Sequence, residues 1–380
     1  MAPLGLYIHV PFCRRLCNYC DFTRGLFDGP LKARYVAAVQ THIDQVADAL
    51  PGTAERSADT IYFGGGTPSL LLPAEIAAIF GSCRRAFDVA GDAEITMEVN
   101  PETATTEALS GFRAAGVNRL SIGVQSFRDD ELTRLGRIHD QAGARRAVAE
   151  ARAAGFDNVS IDLMMWLPGQ SVADWRQSIE GLVSVAPEHA SLYMLELYPH
   201  VPLREDMARA HLSQGPDDDA ADMYELAMGM AASAGLAQYE ISNVARPGRE
   251  SRHNLKYWMD GDWFGFGPGA HSTVDGVRWK ALSDTAQFVS AIETGSDVQT
   301  DRRVLSADDR WREALITRLR LVAGISADEL LQKYGLDIWA RYGDHLQPYL
   351  EAGLLRHEKG RLWLSRQGML LANEVLAVFI

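Results

Sequence analysis

The sequence contains only four cysteines in 380 residues, too few in a chain of this length for a disulfide framework. No stretch approaches the roughly 18 consecutive apolar residues of a membrane-spanning helix, and no charged segment followed by an apolar one marks a secretory signal. Positive charge is also scarce, because 37 Lys and Arg stand against 50 Asp and Glu, which gives a net charge of −13. Broad nucleic-acid binding requires a basic surface, so we expect no nucleic-acid partner.

The remaining composition is that of an ordinary globular protein. Hydrophobic residues make up 47% of the chain and charged residues 23%. The length is sufficient for two or three domains with an ample core. Without a secretory signal, and with clustered thiols, the expected compartment is the reducing cytoplasm.

Three of the four cysteines fall in one short segment, as Cys13-x3-Cys17-x2-Cys20. Three thiolates so close together can bind three irons of a cubane iron–sulfur cluster and leave the fourth iron without a protein ligand. A zinc site is the alternative, because His9 lies four residues before Cys13. Structural zinc usually has four ligands in two spaced pairs, and no second pair follows, so the spacing favours the open cluster. We expect the isolated Cys83 to be an ordinary partly buried helix residue.

Short β-type segments alternate with amphipathic helical segments from residue 5 to about residue 200, which predicts a parallel sheet with right-handed crossovers. The predicted strands of this alternation are residues 6–10, 60–63, 94–99, 119–124, 158–163 and 190–197, and one further strand is predicted over residues 238–244. Six such units fall short of a closed barrel, so the predicted fold class is α/β, with an open, partial (β/α)6 barrel. The predicted domains are a barrel over residues 1–240, a Gly- and aromatic-rich extension over 241–300, and a helical, winged-helix-like C-terminal domain over 301–380. In the last of these, helices are followed by a short hairpin with Lys359-Gly360 in its turn.

Candidate ligand-binding residues follow the predicted strands at their carboxyl ends, where such folds place their chemistry. The cysteine segment follows the first strand, and Gly64-Gly65-Gly66-Thr67-Pro68 follows the second; Glu98 ends the third, Gln125 follows the fourth, and Asp162 lies late in the fifth. Glycines allow backbone N–H groups to approach a ligand closely, and the guanidinium of Arg137 suits a carboxylate. Each residue alone could be an ordinary turn or salt-bridge residue, but together they predict one site.

These motifs resemble the radical S-adenosylmethionine (SAM) superfamily. Residues 7–13, 64–68, 123–127, 136–137, 162 and 167–170 are similar to the oxygen-independent coproporphyrinogen III oxidase group, and within it to the HemW heme chaperone branch. The resemblance implies a 4Fe–4S cluster on Cys13, Cys17 and Cys20, with SAM on the open iron. It implies SAM contacts from Tyr7, Tyr19, Gly65, Gly66, Thr67, Glu98, Gln125, Arg137 and Asp162. In that superfamily one electron from the cluster cleaves SAM to a 5′-deoxyadenosyl radical.

Three features favour the chaperone branch over the oxidases. The oxidases have a further cysteine two residues after the third, and Phe22 occupies that position here. The oxidases also have a long segment before the first cysteine, which here is already residue 13. Residues 253–258 match the H-N-x-x-Y-W stretch of the chaperone branch. The resemblance implies heme binding with His253 as axial ligand and Tyr257 in support, although a hydrogen-bonded loop histidine is the alternative. His271 is a weaker candidate for a second heme contact.

The expected function is therefore a heme chaperone that binds a 4Fe–4S cluster, SAM and heme and transfers heme to acceptor proteins. An electron donor such as flavodoxin or ferredoxin is expected, and a homodimer is conceivable. The alternatives are coproporphyrinogen III oxidase, a radical SAM enzyme acting on another tetrapyrrole, and a metal-binding protein without turnover, so whether the chain is an enzyme stays open. Residues 165–166 (Met-Trp) and 197–200 (Leu-Tyr-Pro-His) depart from the family pattern near the expected pocket.

Overall fold

A computed structural model describes residues 3–49 and 56–380, with a twelve-stranded sheet at its centre. Its strands are β1 Leu4–Val10, β2 Phe12–Cys13, β3 Gly25–Leu26, β4 Ser57–Gly65, β5 Asp88–Val99, β6 Arg119–Gln125, β7 Val159–Met165, β8 His189–Met194, β9 Ala237–Gln238, β10 Asn243–Ala245, β11 Trp263–Phe266, β12 His271–Val274, β13 Val277–Ala281, β14 Gln299–Val304, β15 Ile325–Ser326, β16 Leu355–Glu358 and β17 Arg361–Leu364. Its helices are α1 Gly29–Ala49, α2 Pro73–Ala86, α3 Thr106–Ala114, α4 Asp129–Arg134, α5 Gln141–Ala153, α6 Val172–Ser184, α7 Leu203–Ala210, α8 Asp217–Ser233, α9 Arg252–Trp258, α10 Thr285–Glu293, α11 Ala307–Arg318, α12 Ala327–Tyr334, α13 Ile338–Glu351, α14 Arg366–Leu370 and α15 Ala372–Leu376. None of the helices in the described part of the chain combines the length and the apolar character that a membrane crossing requires.

Six parallel strands in chain order form the predicted partial barrel. Strands β1, β4, β5, β6, β7 and β8 lie side by side, and each neighbouring pair is parallel. These strands confirm the α/β prediction. The sequence did not predict that β11 would add a further parallel strand beside β1. This strand has only four residues, and the glycines around it made the segment resemble an irregular extension.

Antiparallel strands extend the sheet at both edges. Strands β12, β13 and β14 continue it beyond β11, while β10 and β9 continue it beyond β8. The prediction of one strand over residues 238–244 was wrong, because the chain turns between β9 and β10. The carboxylate of Glu240 accepts the backbone N–H of Ser242 at 2.9 Å, which stabilises this turn.

The strand alternation gives the barrel two different faces. On β1, Leu4, Leu6, Ile8 and Val10 are fully buried in the hydrophobic core, together with apolar side chains of the surrounding helices. The intervening residues lie on the opposite face, since successive side chains of a strand alternate. The register aligns polar residues there in neighbouring pairs: Tyr7 with Tyr62, Tyr62 with Thr96, Glu98 with Ser121, Ser121 with Ser160, and Ser160 with His189. The inner face is therefore suited to a polar ligand rather than to an apolar core.

The C-terminal part has the predicted helices and hairpin. Helices α11, α12 and α13 precede β16 and β17, and β15 pairs with β17 to form a separate three-stranded sheet. The hairpin turns at Lys359-Gly360, where φ is 50° and 73°, as a type I′ turn requires. This arrangement confirms the helical, winged-helix-like prediction. The domain boundaries at residues 240 and 300 stay predictions, and the central sheet continues past both of them.

Candidate cluster and SAM site

The cysteine loop leaves the carboxyl end of β1 and is closed by a short strand pair. Strands β2 and β3 are parallel, with Gly25 N–H donating to Pro11 O at 2.7 Å and Phe27 N–H donating to Cys13 O at 2.9 Å. The chain between them carries Cys17 and Cys20. Cys13 is buried, whereas Cys17 and Cys20 are partly exposed. Both ends of the loop are thus fixed to the barrel, and its three thiols lie at the edge where the parallel strands end.

Two side chains from outside the cysteine loop donate hydrogen bonds to these sulfurs. The hydroxyl of Thr67 donates to Cys13 Sγ at 3.7 Å, and Nη1 of Arg137 donates to Cys17 Sγ at 3.5 Å. Burial raises the pKa of the Cys13 thiol to about 11 and also raises the pKa of Cys20. Burial therefore favours the protonated form of both thiols, and a metal that binds them displaces these protons.

The glycine turn after β4 packs against the cysteine loop without room for a side chain. A Cβ on Gly66 would lie 2.7 Å from Phe12 O and 3.0 Å from Cys13 Sγ. Gly65 has φ of 114°, and a Cβ there would lie 2.6 Å from the His9 ring. The backbone can therefore approach the loop, and any group bound on it, only because these positions are glycine.

Replacing Gly66 by Ala should release most of the bound iron. The added methyl group would press on the backbone of Phe12 and on the sulfur of Cys13, and overpacking of this kind typically costs about 1–3 kcal/mol. Iron analysis of the anaerobically reconstituted variant measures the effect. Gly91→Ala is the matched control, because a Cβ at Gly91 has no heavy atom within 4 Å. Full iron content in Gly66→Ala would contradict the tight contact.

Two carboxylates face each other across the inner face. Glu98 accepts the Tyr62 hydroxyl at 2.9 Å and the Gly65 N–H at 3.0 Å, and Asp162 accepts the Ser121 hydroxyl on both oxygens at 3.1 Å. Burial, and then the charge of Asp162, raises the pKa of Glu98 to about 7. Burial also raises the pKa of Asp162. Such carboxylates can accept hydrogen bonds from hydroxyl or ammonium groups of a ligand.

Arg137 and Gln125 lie beside the carboxylates at the end of β6. Nη2 of Arg137 donates to Gly123 O at 2.7 Å, while its buried Nε has no hydrogen-bond partner among the described residues. Gln125 has a left-handed φ of 68°, a conformation that costs a non-glycine residue about 1–2 kcal/mol and occurs often at functional sites. Tyr19 lies beside Arg137: burial raises the pKa of its phenol, and the guanidinium opposes that rise. The predicted SAM residues of the loops after β1, β4, β5 and β6 thus converge on one edge.

A cavity of about 420 Å³ adjoins this edge. Tyr7, His9, Gly65 and Glu98 line its inner side. Its outer side is formed by Asp21, Phe22, Thr23, Tyr257, Trp263, Gly269, Ala270 and His271. The aromatic ring of Tyr257 contacts Trp263 edge to face, with 4.8 Å between centroids. The cavity therefore joins the polar inner face to an aromatic wall, and the side chain of His271 is exposed at this wall.

Neither ring nitrogen of His253 is free to bind a ligand in this cavity. It is 1% exposed; its Nδ1 lies 2.9 Å from the Thr60 hydroxyl and its Nε2 lies 2.8 Å from the Tyr257 hydroxyl. Burial, reinforced by nearby Lys256 and Arg119, lowers the pKa of His253 to about 3. The ring is a neutral, packed part of the inner face, so it would have to release one of these hydrogen bonds to bind heme iron. The assignment of His253 and Tyr257 to heme stays a prediction.

The two departures from the family pattern lie next to the cysteine loop and α7. The imidazole of His200 contacts the carboxylate of Asp21, the residue after Cys20. Trp166, with φ of 60°, donates from its indole N–H to Gly215 O at 3.0 Å. Residues 197–200 are therefore tied to the loop that carries the predicted cluster ligands.

The donor set fits an open cubane cluster. Three thiols, two donors directed at sulfur and a glycine cradle lie at one edge, and each thiolate of a cubane binds a different iron. Within residues 3–49 and 56–380, no three His, Cys, Asp or Glu side chains are placed to bind a single metal ion. His9, the fourth zinc ligand of the alternative hypothesis, has its Nε2 2.7 Å from Thr23 O and its Nδ1 3.0 Å from the Tyr7 hydroxyl.

Comparison with known proteins identifies the family. Residues 7–182 match the family model of the Radical SAM superfamily, and residues 305–371 match that of the HemN C-terminal domain. The heme chaperone HemW of Bacillus subtilis is 34% identical over 375 residues, which cover 98% of each chain. The chain belongs to the HemW family. The HemW heme chaperone of Escherichia coli is also 34% identical, over 100% of this chain and 99% of its own.

A solved structure shows the same fold. The coproporphyrinogen III oxidase HemN of Escherichia coli, a radical SAM enzyme, superimposes with a TM-score of 0.87 at 24% identity, over 99% of this chain and 90% of its own. HemW family membership confirms the resemblance and the partial barrel, and the superfamily implies a 4Fe–4S cluster and SAM. The assignments of individual residues to these cofactors stay predictions.

One residue at the centre of this HemW site was missed by sequence reasoning. The side chain of Asn100, directly after β5, contacts both Thr67 and Arg137. Its position after a strand and before Pro101 was the available signal, but a lone asparagine there is also common in turns. Only the pairing of β4, β5 and β6 shows that it lies between the two sulfur-directed donors.

Proposed function

We propose that this HemW family member is a heme chaperone that holds a 4Fe–4S cluster and SAM at the barrel edge and heme in the adjoining cavity. Cys13, Cys17 and Cys20 hold the cluster, which when bound supplies an electron to SAM. The observation that supports this best is the cavity itself, because it joins the polar inner face to an aromatic wall. Acceptor proteins receive the heme.

The side chains around the glycine turn have the chemistry to hold SAM. Arg137 offers its unpaired Nε–H to the carboxylate, and Gly65 and Gly66 leave space for the methionyl part against the backbone. Glu98 and Asp162 suit the ammonium group and the ribose hydroxyls. Tyr7, Tyr19, Thr67 and Gln125 complete this proposed set.

Heme is a flat, largely apolar macrocycle with an iron and two carboxylates, and the outer cavity wall is complementary to its rings. Phe22, Tyr257 and Trp263 supply aromatic surface, and His271 supplies an exposed imidazole. A neutral imidazole is a common axial ligand of heme iron. We therefore propose His271 as the accessible candidate ligand, with His253 as the candidate that first requires rearrangement.

Heme titration followed by the Soret absorbance tests these two ligands. We expect His271→Ala to weaken heme binding about tenfold or more and to shift the Soret band, since an iron ligand is lost. His253→Ala should reproduce this effect if the ring turns toward the cavity. His345→Ala, which removes an exposed histidine on α13, is the matched control. Unchanged affinity and spectrum in both variants would remove both histidines from the heme site.

The alternative function is oxidative decarboxylation of coproporphyrinogen III. Incubating the reconstituted protein with coproporphyrinogen III, SAM and a strong reductant, followed by mass analysis, distinguishes the two functions. Loss of two carboxyl groups from the porphyrin would establish the oxidase. An unchanged porphyrin, with cluster and SAM bound, would support the chaperone.

We further propose a low-potential electron donor such as flavodoxin or ferredoxin as a partner, because the cluster must be reduced. Free thiols of this kind persist in a reducing compartment, and we propose the cytoplasm. Size-exclusion measurements with and without cluster would show whether a homodimer forms.

A further inference from the structure

Asn100 links two of the proposed cluster ligands through one continuous chain of hydrogen bonds. Its Nδ2 donates to Thr67 Oγ1 at 2.9 Å, and its Oδ1 accepts from Arg137 Nη2 at 2.8 Å. Thr67 in turn donates to Cys13 Sγ at 3.7 Å, and Arg137 donates to Cys17 Sγ at 3.5 Å. Three side chains, from the segments that follow β4, β5 and α4, thus connect one sulfur to the other.

Asn100 fixes the direction of both sulfur-directed donors. Thr67 is 2% exposed and has a single hydroxyl proton; because its oxygen accepts from Asn100, that proton is free to point at Cys13. Two oxygens, the side-chain Oδ1 of Asn100 and the backbone O of Gly123, accept hydrogen bonds from Nη2 of Arg137. This leaves Nη1 directed at Cys17. If the Asn100 amide were flipped, its NH2 group would face the guanidinium, which has no acceptor. The two partners therefore fix the orientation of the amide.

The backbone holds Asn100 in place for this role. The backbone carbonyl of Asn100 accepts the Thr103 N–H at 2.9 Å and the Thr103 hydroxyl at 2.8 Å. The same hydroxyl lies 2.6 Å from that of Ser69, in the turn that follows Thr67. The amide is therefore preorganised by a turn that connects the glycine loop to the end of β5.

Hydrogen bonds to the sulfurs of a cluster stabilise its reduced, more negative form and raise its reduction potential. We propose that Asn100 is a positioning residue that aligns Thr67 and Arg137 on the sulfurs of Cys13 and Cys17 and so raises the reduction potential of the cluster held there. This inference rests on the proposed function, in which those cysteines are cluster ligands.

The test is an EPR-monitored redox titration of reconstituted protein without SAM, together with iron analysis. We expect Asn100→Ala to retain its iron and to shift the reduction equilibrium about tenfold toward the oxidised cluster, which is about 59 mV for one electron. Asn100→Asp should shift it in the same direction, because the carboxylate draws the Thr67 proton away from Cys13. Asn118→Ala is the matched control, since the Asn118 amide also makes two hydrogen bonds, but to backbone groups away from the sulfurs: Oδ1 accepts the Ile95 N–H and Nδ2 donates to Ala93 O, at 2.8 Å each.

A double variant tests whether the residues form one chain. If Asn100 acts by aligning Thr67, the shift in Thr67→Val/Asn100→Ala should be smaller than the sum of the single shifts. An unchanged potential in Asn100→Ala with full iron would overturn the inference. If Asn100→Ala loses its iron, the reduction potential of Asn100→Asp is the test, and a potential equal to that of the wild type would overturn the inference. A wild-type protein that binds no cluster would instead overturn the proposed function.

Discussion

Replacing Cys17 by Ala is expected to abolish cluster binding. A cubane bound through three thiolates holds about four irons per chain, and two remaining cysteines leave a second iron without a protein ligand. Cys17 lies in the middle of the loop, and its sulfur is the one that Arg137 contacts. Anaerobic reconstitution followed by iron and sulfide analysis should show the iron falling to near zero, with loss of the brown colour.

Cys83→Ala provides the matched control for this experiment. Cys83 is fully buried on α2, and burial raises the pKa of its thiol to about 12, as expected of an inert core cysteine. Its removal should leave the iron content unchanged. Full iron in Cys17→Ala would show that the ligands are misassigned, and a colourless wild-type protein with one zinc per chain would end the cluster hypothesis.

Replacing Glu98 by Gln is expected to stabilise the protein without cofactors at about pH 8 and to weaken SAM binding. The folded pKa of Glu98, about 7, lies above its ordinary value of 4.5. Between these values the folded protein holds a proton that the unfolded chain has released, so the stability falls as pH rises through this window and stays low above it. Glutamine avoids this loss, which we put at about 2 kcal/mol after allowing for solvent screening in the cavity.

Urea unfolding at two pH values measures the stability effect. The gain from Glu98→Gln should be about 2 kcal/mol at pH 8 and below about 1 kcal/mol at pH 5, where Glu98 is already protonated in the folded state. A gain that does not change with pH would show that Glu98 is not the titrating group.

Calorimetry of SAM binding measures the cost in ligand affinity. We expect Glu98→Gln to weaken SAM binding about tenfold or more, since a charge-assisted hydrogen bond contributes about 1.5–3 kcal/mol. Glu94→Gln is the control, because Glu94 lies lower on the same strand and accepts the backbone N–H groups of Arg252 and His253 instead. Equal SAM affinity in Glu98→Gln and wild type would remove Glu98 from the SAM site.

The strands that sequence reasoning predicted are those with several residues and an apolar face. β1 and β6 each have apolar side chains at alternate positions that pack into the hydrophobic core, so local pattern was sufficient. β11 has four residues between glycines, and its place beside β1 depends on contacts distant in sequence. The turn at Glu240 was missed for a similar reason, because a buried side chain rather than a turn sequence stabilises it.

The parts of the site that could be predicted are those whose residues are close together in the sequence. The cysteine spacing and the glycine turn are local, and the structure brings them into contact through Gly66 and Cys13. The environment of His253 was not predictable, because Thr60 on a distant strand and Tyr257 on its own helix occupy both ring nitrogens. The role of Asn100 likewise emerges only when the segments that follow β4, β5 and α4 meet at one edge of the barrel.

The closed cysteine loop has a consequence for variants that lack a thiol. Its ends are joined by the β2–β3 pair, and Gly66 N–H donates to Val10 O at 2.8 Å, so backbone hydrogen bonds fix the segments that flank the cysteines. None of these bonds uses a cysteine sulfur, so removing one thiol leaves the attachments of the loop to the barrel in place. We expect limited proteolysis to cut the loop of Cys17→Ala and of the cluster-free wild-type protein at similar rates.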